Sequence, residues 1–85
     1  MTSEEIERSI QAICKKAALL VGQLREPSNF EHLAYEAARF HLSHLVGKDA
    51  IHPNEKFHDP LYYEQALNLL DKEMKKAREE AGRRG

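Results

Sequence analysis

Five histidines fall between positions 32 and 58 of an 85-residue chain, and imidazole is the side chain that most readily ligates a transition metal or exchanges a proton near neutral pH. His41 and His44 are one helical turn apart, so two neutral rings could address a single ion. Further ligands would have to come from His52, His58 or Asp59, or from a symmetry mate, because the helix that carries His41 and His44 has no Glu-x-x-His pair and no His-x-x-x-His. The competing reading makes His41 and His44 core histidines, hydrogen-bonded to Tyr62, Tyr63 or backbone carbonyls. His32 projects to the opposite side and belongs to the surface.

Other chemistry-bearing residues read more simply. Cys14 is the one cysteine; it lies at the edge of an apolar stripe, reads as a small buried hydrophobe, and has no partner for an internal disulfide. With one cysteine and no basic-then-apolar N-terminal layout, the chain is expected in the cytoplasm. No apolar run approaches the ~20 residues a membrane span needs. Glycine-rich phosphate loops are absent, and no cofactor is implied. Tyr35, Tyr62 and Tyr63 could stack on bases, and Lys72, Lys75, Lys76 and Arg78 lie on a mildly basic arm. A net charge of −1 without a uniform basic stripe nevertheless makes nucleic acid an unlikely partner.

The elements that position these residues are helical. Thr2-Ser3-Glu4-Glu5 is a capping box, and Ile6, Ile10, Ile13, Ala17, Leu20 and Leu24 recur at intervals of four and three, which predicts a helix over about 3–25, ended by Pro27. Ser28-Asn29-Phe30-Glu31 is a second box and opens a helix over 29–46, stopped by Gly47. On that helix Phe30, Leu33, Ala34, Ala37, Phe40, His41, His44 and Leu45 are expected to face the core. A second apolar strip, Tyr35, Ala38, Leu42 and Val46, leaves only His32, Glu36, Arg39 and Ser43 polar. Residues 47–58 lack a period and contain Pro53-Asn54, so a long loop is expected, packed by Ile51 and Phe57. Asp59-Pro60 then caps a third helix over 60–81, with Tyr63, Leu67, Leu70, Met74, Ala77 and Ala81 on one face and Tyr62, Ala66 and Leu69 beside them. Residues 82–85 are expected to be a disordered tail.

Two patterns resemble known families. Arg39-Phe40-His41-Leu42-Ser43-His44 is similar to the Arg-x4-6-His motif of the HEPN ribonucleases, a resemblance that would imply phosphodiester hydrolysis at a dimer interface between helical bundles, with Arg39 and His44 as the acting pair. Glu31-His32, a His-Leu at His41-Leu42 or His44-Leu45, and Pro60-Leu61-Tyr62-Tyr63 together resemble a small helical family of uncharacterised bacterial and phage proteins. That likeness spans about 35 residues and imports no activity; it would single out Glu31, His32, His44, Tyr62 and Tyr63.

These readings combine into one all-α domain over residues 1–85, an antiparallel three-helix bundle. Its alanine-rich faces give one copy a thin core, so a homodimer is expected, formed through Tyr35, Leu42 and Val46 or through the Tyr62 and Leu69 side of the third helix. With no constellation that names a reaction, the leading expectation is a non-enzymatic interaction or regulatory module, such as a small regulator or inhibitor from a phage or mobile element. A histidine-based metal or hydrolytic site at His41, His44, His52 and His58 is the first alternative. Nucleic-acid binding by the arm carrying Lys72, Lys75, Lys76 and Arg78 is the second.

Overall fold

A computed structural model describes residues 2–23 and 29–84. Among them the chain forms α1 (Ser3–Gly22), α2 (Asn29–Leu45), a single 3-10 turn (Glu55–His58) and α3 (Pro60–Arg84), with no strand. The expected end of the first helix at Leu24 or Arg25 and the capping serine at position 28 lie outside the described residues.

Local chemistry sets the boundaries. Thr2 Oγ1 accepts the Glu5 backbone N–H at 3.2 Å and donates to Glu5 Oε1 at 3.2 Å, so the N-cap arm of the first box forms while the Glu5 carboxylate meets the Thr2 hydroxyl in place of its backbone N–H. At the start of α3, Asp59 Oδ1 accepts the Leu61 N–H at 2.9 Å, and Pro60 occupies the first helical position, where its missing N–H has no partner to lose. Gly47 follows α2 with φ +95°, and a Cβ there would stand 3.1 Å from Tyr63 Cβ. Glycine is thus required both for the left-handed backbone and for the approach of α3. Past Ala77, α3 continues through residues 82–84, which the sequence assigned to a disordered tail. Lys, Arg, Glu and Ala are good helix formers, and one glycine in their midst costs only about 1 kcal/mol.

The packing is up-down-up. Glu7, Ile10 and Gln11 of α1 share a groove with Tyr62, Ala66 and Leu69 of α3, and Lys15 to Gln23 share another with Glu73 to Glu80, so α1 and α3 run parallel. Arg39 meets Tyr63 while Glu31 meets Arg78, so α2 runs antiparallel to both. The packing of α1 on α3 is the most extensive, and α2 packs least on α3.

The core consists of Ile6, Cys14, Ala17 and Val21 from α1, Ala38, Leu42 and Val46 from α2 and the residue after it, Phe57 from the loop, and Ala66, Leu70 and Met74 from α3. Each fully buried Leu, Ile or Phe contributes about 1.5–3 kcal/mol through lost water contact. Two expectations are corrected here. In α1, Leu20 is 45% exposed while Val21 is buried, so the stripe leans one position round the helix. In α2 part of the expected face is exchanged: Leu33 and Phe40 are 58% and 62% exposed, and Ala38, Leu42 and Val46 of the strip reserved for a partner are buried, while Ala34 and Leu45 pack against the core as expected and the Phe30 side chain lies outside what the structure describes.

The cause of that exchange is the chain after α2. Gly47 N–H donates to Phe57 O at 2.8 Å, and Ile51 N–H donates to His44 O at 3.0 Å. These bonds tie the end of α2 to the loop in the rotation that points Leu42 and Val46 inward with Phe57. Ile51, expected to pack the loop, is instead 80% exposed.

Candidate functional site

The four candidate metal ligands separate into two pairs with different duties. His52 is buried, its Nδ1 accepts the Asn54 N–H at 3.2 Å, and its Nε2 stands 2.5 Å from Leu45 O. An Nδ1 that accepts has no proton, so the proton is on Nε2 and is donated to the carbonyl. Both nitrogens are spent on backbone groups. His58 Nε2 donates to His52 O at 2.9 Å, and the two rings meet edge to face at 5.6 Å. This pair is a latch that satisfies the backbone of the 46–59 segment, whose turn would otherwise leave buried polar groups unpaired.

His41 and His44 point elsewhere. His41 is exposed and His44 half-buried, and neither is the core histidine expected from the sequence. Both lean on the Phe40 ring, with centroids 6.0 Å away for His41 and 4.4 Å for His44. They border a shallow, mainly apolar groove with Ile13 of α1 and Leu45, Ile51 and His52. Among the described residues no three His, Cys, Asp or Glu side chains gather where one ion could reach them.

Arg39 and His44 likewise diverge. Five positions apart on a helix, they differ by about 140° round its axis. Arg39 Nε donates to Tyr63 Oη at 3.3 Å, and its guanidinium lies 3.8 Å from Glu36. The hydrogen bond to Tyr63 first, and the charge attraction of Tyr63 and Glu36 after it, push the arginine pKa further up. Within one copy the two residues serve different neighbours. On the same side of the molecule, burial and then the charge of Asp71 push the Tyr35 phenol up.

Of the two surfaces expected to meet a partner, the one on α2 is corrected by the same rotation, while Tyr62 and Leu69 of α3 line a groove with α1 and stay partly exposed. Leu42 and Val46 are 0% and 1% exposed, and Tyr35 packs half-buried against the core they belong to. This strip forms the chain's own core. The basic arm is exposed at Lys72, Lys75, Lys76 and Arg78, but Arg78 pairs with Glu31. Lys76 shares its groove with Glu73 and Glu80, and Lys75 shares one with Glu31 and Asp71. Opposite charges therefore interleave along the arm.

Cys14 is fully buried. Burial first, and the nearby carboxylate of Glu73 second, push its thiol up to about 11. A thiol held protonated at neutral pH is a poor nucleophile.

What the fold leaves facing water is part of the face of α2 that its sequence marks as core. Leu33, Ala37, Phe40 and His44 recur at intervals of four, three and four. Leu33, Ala37 and Phe40 are exposed, and His44 is half-buried beneath the Phe40 ring. His41 and Ile51 extend this surface to the groove. Glu36, exposed, borders it along one edge. Isolated apolar residues on a surface are ordinary, whereas a stripe at helical spacing marks a contact face. The pattern itself was visible in the sequence, but which of two apolar faces would turn outward was not.

Among the described residues no helix is long and apolar enough to cross a membrane. No match was found among protein-family models, among curated proteins or among solved structures.

Proposed function

We propose that the chain is a small non-enzymatic helical module that acts by protein–protein interaction, docking through the outward face of α2, with a homodimer as its own assembly. It is expected to work in the cytoplasm, in keeping with a single, buried thiol. The observation that carries this reading is the exposure of Leu33 and Phe40 on one stripe of a helix whose opposite face already supplies Ala38, Leu42 and Val46 to the core. A helix apolar on two sides needs partners on two sides, and the fold provides one. The histidine readings draw less support: His52 and His58 are committed to the backbone, and His41 and His44 make a pair, too few for a metal centre.

A photo-crosslinking side chain placed at position 40, compared with one at exposed Glu64, tests the reading in the native cell extract. Discrete adducts from position 40 that disappear with Leu33→Glu, and none from position 64, are the expected result. Equal, diffuse labelling from both positions would count against α2 as a docking face.

A further inference from the structure

We draw no further inference here: the strongest candidate, the outward apolar stripe of α2 carried by Leu33, Ala37 and Phe40, is the docking face already described, and nothing in the structure shows what covers it.

Discussion

The rings of Phe40 and His44 meet edge to face, centroids 4.4 Å apart, with Phe40 62% exposed and His44 half-buried at the groove between α2 and α1. Two residues that periodicity places in the core thus pack on each other at the surface, while Leu42 between them in sequence is fully buried. The contrast gives a direct prediction. In urea unfolding at 10 µM, Leu42→Ala should lose about 2–5 kcal/mol by opening a cavity, and Phe40→Ser should stay within about 0.5 kcal/mol of the parent. Equal losses would mean that Phe40 is a core residue.

Gly47 carries two constraints at once, its positive φ and the Tyr63 side chain against it. Gly47→Ala should cost about 1–3 kcal/mol, read from the denaturation midpoint. Tyr63→Ala added to Gly47→Ala should recover little of the loss, because alanine keeps the Cβ that stands 3.1 Å away. A stabilised Gly47→Ala variant would contradict the left-handed geometry.

His52 holds the loop by bonding Leu45 O and the Asn54 N–H. His52→Ala leaves those groups without their partner and should cost about 1–3 kcal/mol, with faster hydrogen exchange at the Asn54 amide. Exhaustive treatment with a chelator should leave the thermal midpoint unchanged. A chelator-induced fall that His52→Ala abolishes would show the imidazole serving a metal instead.

Cys14 makes stability depend on alkaline pH. Its ordinary value of 9.0 is pushed up to about 11 by burial and then by Glu73. Between these values the unfolded chain has released a proton that the folded chain keeps, so the unfolded state binds fewer protons and stability falls as pH rises. The effect is absent well below pH 9 and approaches about 2–3 kcal/mol near pH 11. Urea midpoints of the parent and Cys14→Ala, compared across pH 8–11, should converge as pH rises. A constant difference would place the thiol in contact with water.

Much of the fold was legible in the sequence because its signals are local. The Thr2 box, the Asp59-Pro60 start and the glycine stop after α2 depend on residues within one turn of one another. The orientation of α2 was not legible, since Leu33 and Phe40 on one side and Ala38, Leu42 and Val46 on the other satisfy the same period. The choice between them rests on bonds from Gly47 and Ile51 to Phe57 and His44, which periodicity does not encode. His52-Pro53-Asn54 was recognisable as a turn, but nothing in its composition says that the imidazole closes the turn and does not hold an ion. The extra apolar surface was correctly counted and assigned to the wrong side of the helix.

Sedimentation equilibrium from 10 to 500 µM puts the claim about α2 to its most direct test, with the parent, Phe40→Glu and Leu61→Glu run side by side. Leu61 is 60% exposed at the start of α3, away from the stripe, and controls for an added charge on an apolar surface residue. The account predicts that the parent and Leu61→Glu rise from the mass of one chain toward that of two, while Phe40→Glu stays at one with its helical circular dichroism unchanged. Association that survives Phe40→Glu, or that Leu61→Glu abolishes instead, would contradict it.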